Sequence, residues 1–246
     1  MLLETRDPET TPGRLRQLAV DSVRPVRLWA ARNPNTPPDA LALLVVDALR
    51  SSVIPLCALV IAMIALGVTL HSGWVFTEFW IFALPLLLAV FVIVLACFAL
   101  ALFLASRDTR RWPLVATAVL TAVGVGGSVL LTLNPKASAW TRFWVERPAF
   151  AAVAAMELPE LRAIDYYGVE LPRHLCFVSA NCKVAVIGTS GGQPVRFVPD
   201  YIGIPDDALG YGHFVGTPEP GPYDGWGARI CPTMELAGGW WWLGYC

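Results

Sequence analysis

A membrane α region of three transmembrane helices, followed by a small extracytoplasmic α+β domain with an antiparallel sheet, is the fold class this sequence predicts. Three observations carry it. Val53–Leu70, Phe79–Ala105 and Trp112–Leu133 are long apolar runs without a charged side chain. The breaks between them are short, and beyond Asn134 the Ala/Leu runs give way to Gly, Pro and aromatic residues. Four of the six cysteines, Cys176, Cys182, Cys231 and Cys246, fall in that last region. A bilayer core of about 30 Å is crossed by about 20 apolar residues in a helix, and all three runs reach that range. Packed as the core of a soluble protein, they would leave no polar face to cover them.

Taken in order, residues 1–50 predict a short helical segment on the cytoplasmic side. Thr11-Pro12 has the form of an N-cap with proline in the first turn, for a helix running to about Val20. A second helix carries Val26, Leu28, Trp29 and Ala30 to about Arg32, where Asn33-Pro34-Asn35 breaks it. Thr36-Pro37 caps a third, Asp39–Arg50, with Asp39 in the first turn, where the helix dipole favours negative charge. The transmembrane region follows at 51–134, with Pro55 near the start of the first span and Pro85 inside the second.

Orientation follows from arginine placement. Seven arginines (Arg6, Arg14, Arg16, Arg24, Arg27, Arg32, Arg50) precede the first span. The loop 71–78 has none, and the loop 106–111 has three. The positive-inside rule places the N-terminus in the cytoplasm of a multi-pass protein of the cell (inner) membrane, and the third span delivers residues 135–246 outside. Cysteines collected beyond the last span agree, because disulfides persist in oxidising compartments. Within the spans no Asp, Glu, Lys, Arg or His occurs, which argues against ion or proton transport. Ala118, Ala122 and Gly126 recur every four residues, beside Gly124 and Ser128. Such small residues permit close helix approach, within this bundle or with a partner. Trp74, Trp80, Trp112 and Trp140 fall where an interfacial aromatic belt belongs.

A juxtamembrane helical segment, 135–158, carries Trp140, Phe143 and Trp144 at helical spacing, for the outer membrane surface or for the domain core. The disulfide-stapled domain spans 159–246. Leu175–Val178 and Lys183–Ile187 predict a hairpin about Ser179-Ala180-Asn181. Gly188–Gly192 is a turn cluster leading into Pro194–Val198. His213–Val215 and Trp240–Leu243 are further strands, and Gly216–Gly227 is a loop. Four cysteines allow three connectivities. Cys176–Cys182 with Cys231–Cys246 is preferred, because each pair is nearest in sequence and brackets a turn-rich segment.

The segment Val26–Asp47, and above all RNPNTPPDALALL within it, resembles one unit of the bacterial variant leucine-rich repeat. The resemblance implies a helix, turn and helix that stack in a solenoid. A described member of that family carries a cysteine-bound iron–sulfur cluster. This chain has no cysteine before Cys57, so no cluster is carried over. The stretches DYYGVELP, IPDDALGYGHF and GWWWLGYC are similar to extracytoplasmic regions of actinobacterial multi-span membrane proteins.

No catalytic residue, cofactor or metal site emerges. GTSGG at 188–192 resembles the nucleophile loop of trypsin-like proteases, but Thr189 replaces its aspartate and no second barrel is present. His174, Cys176, Cys182, His213 and Cys231 lack the usual zinc spacings. Asp200, Asp206 and Asp207 lack a calcium-loop pattern. A net charge of −1 with two lysines offers nothing for nucleic acid. Beyond the lipid bilayer, the expected partner is a protein on either side of the membrane. The favoured function is that of a membrane-anchored binding or interaction protein. Alternatives are a structural accessory subunit of a larger membrane complex and an extracytoplasmic enzyme. The candidate binding residues are Trp226, Trp240, Trp241 and Trp242, as an exposed aromatic patch or else as a terminal strand whose alternate tryptophans fill the core.

Overall fold

The computed structural model describes residues 10–21, 24–107, 111–158, 166–203 and 207–246. Expectations resting on Arg6, on Arg110, on residues 159–165 and on Asp206 lie outside them. The chain divides into two compact units, 1–63 with 94–125, and 64–93 with 126–246.

In the first unit, α1 (Pro12–Ala19) and α2 (Arg24–Arg32) bury Leu15, Leu18, Val26 and Ala30. The turn after α2 is built by its side chains. Asn33 Oδ1 accepts the Asn35 N–H at 3.0 Å, and the Thr36 hydroxyl donates to the Ala30 carbonyl. Short polar side chains that mimic a backbone turn explain the NPNT sequence. Arg16 grips Asp39 with Nε–Oδ2 at 2.7 Å and Nη2–Oδ1 at 3.3 Å, which holds the Asp39 carboxyl below its usual range.

Helix α3 (Pro38–Leu70) corrects one expected boundary: the third N-terminal helix and the first span form one continuous 33-residue helix. Nothing between Arg50 and Val53 breaks it, and Pro55 lies in its interior rather than at its start. Residues expected as a polar loop form α4 (Ser72–Phe79), then a 3₁₀ turn, Trp80–Phe82, leads into α5 (Ala83–Ser106). The third span is α6 (Arg111–Thr121), a π turn at Ala122–Gly126, and α7 (Gly127–Leu133). By length and composition Ser52–Leu70, Ser72–Ser106 and Arg111–Leu133 can each cross a membrane. The small residues of the third span face two ways. Gly124 packs so closely that a Cβ there would lie 3.0 Å from the Cα of Ala62 and 2.9 Å from the Phe98 ring. Ala118, Ala122 and Gly126 are exposed.

In the second unit, α8 (Pro135–Val145) and α9 (Arg147–Ala155) cover a seven-stranded antiparallel sheet of order β1-β2-β3-β4-β7-β6-β5. Its strands are β1 (Val169–Glu170), β2 (Lys183–Ser190), β3 (Gln193–Ile202), β4 (Ala208–His213), β5 (Tyr223–Gly225), β6 (Ala228–Glu235) and β7 (Trp240–Tyr245). Both faces are buried. One face joins Phe143, Phe150 and Val153 to Val184, Val198, Tyr211, Trp240 and Trp242. The other collects Ile187, Phe197, Phe214, Trp226, Ile230 and Leu243. Of the two placements open to the segment 135–158, Phe143, Phe150 and Val153 take the one in the domain core.

The expected strand at Leu175–Val178 is instead a 3₁₀ helix, Arg173–Val178, and β2 pairs with Val169–Glu170. Pro172 leads into it, and the Cys176–Cys182 disulfide closes a loop too short for a hairpin arm. Cys182 there takes φ +57. The second disulfide joins Cys231 and Cys246, so both preferred pairs form.

Candidate functional site

The tryptophans expected at a binding patch are organised by strand parity. On β7, Trp240 and Trp242 point to the helix side and are buried, while Trp241 lies half-buried on the opposite face beside Leu243. Period-two alternation on a sheet buried on both sides leaves this strand no free face. Trp226 is buried for a different reason. It and Gly227 form the two-residue loop between β5 and β6, with φ of +58 and +105. Positive φ at both positions is the requirement of a type I′ turn. The turn drives the indole inward against Phe197 and Tyr167, at ring distances of 5.8 and 5.3 Å. Aromatic burial here stabilises the sheet: Trp226, Trp240 and Trp242 are buried and Trp241 is half-buried.

This unit also holds a buried charged junction, which tryptophan-centred reasoning missed. Along β3, Arg196 and Val198 share the side that faces α8 and α9, as their parity requires, and Asp200, at the irregularity between Pro199 and Tyr201, reaches Arg142 of α8. Arg196 Nη1 donates to the Val153 and Met156 carbonyls, at 2.9 and 2.6 Å, where α9 ends. A cation at a helix C-terminus satisfies carbonyls with no partner inside the helix. Asp200 pairs with Arg142, whose side chain is 1% exposed. Arg142 also donates from Nε to both Glu146 oxygens at 3.3 Å and from Nη2 to the Phe177 carbonyl at 2.8 Å. One guanidinium thereby joins α8, the 3₁₀ helix that runs into the first disulfide loop, and β3. A planar five-donor fork can hold two carboxylates and a carbonyl at once, which an ammonium on a single point cannot.

The junction extends to the start of α4. His71 Nε2 lies 3.2 Å from Glu146 Oε1. Gly73 brings its backbone against the Asp200 carbonyl, and Thr77 Oγ1 accepts the Ile202 N–H at 3.1 Å. The His71–Glu146 distance alone suits an ion pair. Burial, then the Arg142 charge, push the imidazole down to about 4, so at neutral pH the contact is one between a neutral ring and the carboxyl group rather than an ion pair. Burial raises the Glu146 carboxyl, with Arg142 opposing the rise. Tyr211, wholly buried, donates to the Ala139 carbonyl at 3.1 Å and is also raised by burial. The signal for this junction was present in α8: Ala139, Arg142, Phe143 and Glu146 repeat at helical spacing, which places both charges on the apolar face.

A pH dependence follows. The folded His71 binds its proton less readily than the unfolded chain, so its contribution to stability is complete above pH 6.5 and is lost as pH falls from 6.5 towards 4. Glu146, with its raised folded value, acts in the opposite sense and loses stability as pH rises through that value. His71→Asn separates the two. Thermal unfolding of the full chain in detergent, read by tryptophan fluorescence at pH 7 and pH 5, is expected to show a smaller acid loss for the variant. An unchanged loss would remove His71 from the account.

The remaining motifs are structural. Ser190, in the GTSGG turn, is buried, and its Oγ accepts the Glu219 N–H at 3.0 Å. Glu219 in return accepts the Gly191 N–H at 3.0 Å. An open cleft of about 680 Å³ lies beside this turn, between Ile187–Thr189 and Glu219–Asp224. Cys176, Cys182 and Cys231 are disulfide-bonded and offer no thiolate to a metal.

No curated protein and no solved structure matches the chain. A family model described as "Leucine rich repeat variant" matches residues 24–49, which comprise α2, the Asn33–Thr36 turn and the first part of α3.

Proposed function

We propose that this is a membrane-anchored interaction protein, with its N-terminal segment in the cytoplasm and its disulfide-bonded domain on the other side of the cell membrane. The docking element is the variant leucine-rich unit. The arginine bias supports this topology, as do the two disulfides, which require an oxidising compartment. The observation that carries the docking reading is the surface of α3 ahead of the span that begins at Ser52. Leu41, Leu43, Val45, Val46 and Leu49 are all exposed there, most of them by more than half. In repeat architectures each unit buries such a face against its neighbour, and a lone unit leaves it open to a partner with a complementary helix. Asp47 and Arg50 occur within the same stretch of sequence, which argues against burial in hydrocarbon.

A photo-crosslinking residue at Val45 tests this in intact cells. The expected product is a protein adduct of defined mass that disappears when Leu41 and Leu49 are both changed to Asp. Lipid adducts alone, or an adduct indifferent to those charges, would overturn the reading. One observation favours a second reading, an accessory subunit held by its spans: the exposed Ala118, Ala122 and Gly126 stripe suits close approach by another helix. In that case the discrete adduct forms from a probe at Ala122 and not from Val45.

A further inference from the structure

Helix α8 has two opposed faces, one buried and one exposed. Ala139, Arg142 and Phe143 face the domain core. Lys136, Trp140 and Trp144, four residues apart in sequence, form an exposed stripe, with Val145 beside it. Trp140 and Trp144 lie 5.9 Å apart, and the Arg147 guanidinium sits 4.8 Å from the Trp144 ring. The stripe therefore reads cation, indole, indole, cation.

Its position in the chain says what covers it. Helix α7 ends the third span at Leu133, Asn134 alone intervenes, and α8 begins at Pro135 with the Asn134 side chain accepting the Ala137 N–H at 3.1 Å. The stripe thus starts within one turn of the end of the third span, where Leu133 is 78% exposed. Helix α4 repeats the pattern. It begins one residue after α3 ends and exposes Trp74 and Phe79, followed by Trp80, Ile81 and Phe82. The His71–Glu146 contact ties α4 to the end of α8.

From these features we infer that the α4 and α8 faces form a lipid-docking surface that lays the C-terminal domain flat on the leaflet from which α7 emerges. Indoles favour the headgroup level, where an apolar ring and a polar N–H are both accommodated, and cations at either end of the stripe meet lipid phosphates. The domain is then seated on the bilayer rather than held away from it. Helix α8 becomes a slab with the lipid on its tryptophan side and Arg142 on the other.

The full chain in phosphatidylcholine–phosphatidylglycerol nanodiscs tests this under non-reducing conditions, with Cys57 and Cys97 changed to Ala. An environment-sensitive fluorophore is placed on Val145→Cys, which keeps both tryptophans, and on Val215→Cys, an exposed position beyond β4. Lipids with a nitroxide at a shallow acyl position should quench the Val145 label several-fold more than the Val215 label, and a water-soluble nickel chelate should show the reverse order. Adding Trp140→Ala and Trp144→Ala should weaken the lipid quenching at Val145. Equal quenching at the two sites, or protection of Val145 from both quenchers by a covering protein, would overturn the inference.

Discussion

Replacing Arg142 by methionine is expected to destabilise the C-terminal domain by about 3–5 kcal/mol, the range for breaking a buried ion pair from one side. Arg142 is buried and serves Glu146, Asp200 and the Phe177 carbonyl together. Methionine fills much the same volume, so packing loss is a minor part of the effect. The dominant cost is two carboxylates left without a counter-charge, Glu146 inside the domain and Asp200 mostly so. Arg142→Lys should recover only part of the loss, because one ammonium lacks the fork that reaches three acceptors. A stronger check removes the charges as a set. Arg142→Met combined with Glu146→Gln and Asp200→Asn should be more stable than Arg142→Met alone, since uncharged amides cost less to bury than unpaired carboxylates. Denaturant unfolding followed by tryptophan fluorescence reads all four proteins, with Trp240 and Trp242 as internal reporters in the same core. If Arg142→Met loses under 1 kcal/mol, or about what an exposed pair contributes, the junction is ornamental.

Which parts of this architecture were readable in the sequence depends on how local the controlling physics is. The three spans were legible because charge-free length is a property of a single segment, and the disulfide pairs because each closes a short or turn-rich stretch. The continuity of α3 was less so. An amphipathic segment and an apolar one invite a boundary, yet no residue between Arg50 and Val53 stops a helix. Trp240 and Trp242 were legible as alternate residues, but whether the strand had one buried face or two depended on α8 and α9 packing behind it. Trp226 was not legible, because its burial rests on a left-handed backbone that tryptophan seldom adopts. The junction was half legible. Arg142 and Glu146 stand four apart on an apolar helix face, but their partners Asp200 and His71 reach them only through the tertiary fold.

Gly73→Ala is expected to be destabilising, by about 1–3 kcal/mol as for other overpacked sites, where the same change in a helix ordinarily helps. An interior helical glycine is worse than alanine by roughly 0.5–1 kcal/mol. Gly67 in α3 shows the ordinary case: a Cβ there meets nothing within 4 Å, so Gly67→Ala should be neutral or stabilising. At Gly73 the new Cβ would lie 2.3 Å from the Asp200 carbonyl oxygen and 3.1 Å from its carbon. Backbone of β3 cannot step aside alone, because Tyr201 and Ile202 are in register with Leu209 and Ala208 of β4. Helix α4 must move instead. It then gives up the Thr77 bond to the Ile202 N–H, and His71, two residues before Gly73, is drawn away from Glu146. The opposite signs at Gly67 and Gly73 are the diagnostic result, since a generic loss of helix quality would give both variants the same sign. Because Gly73 meets the backbone of the residue whose side chain holds Arg142, the two predictions are coupled. A double-mutant cycle between Gly73→Ala and Arg142→Met should depart from additivity by more than the roughly 0.5 kcal/mol seen for independent sites. Additive losses would mean that α4 rests on β3 by shape alone and that the charged junction does not report on the loop between the first two spans.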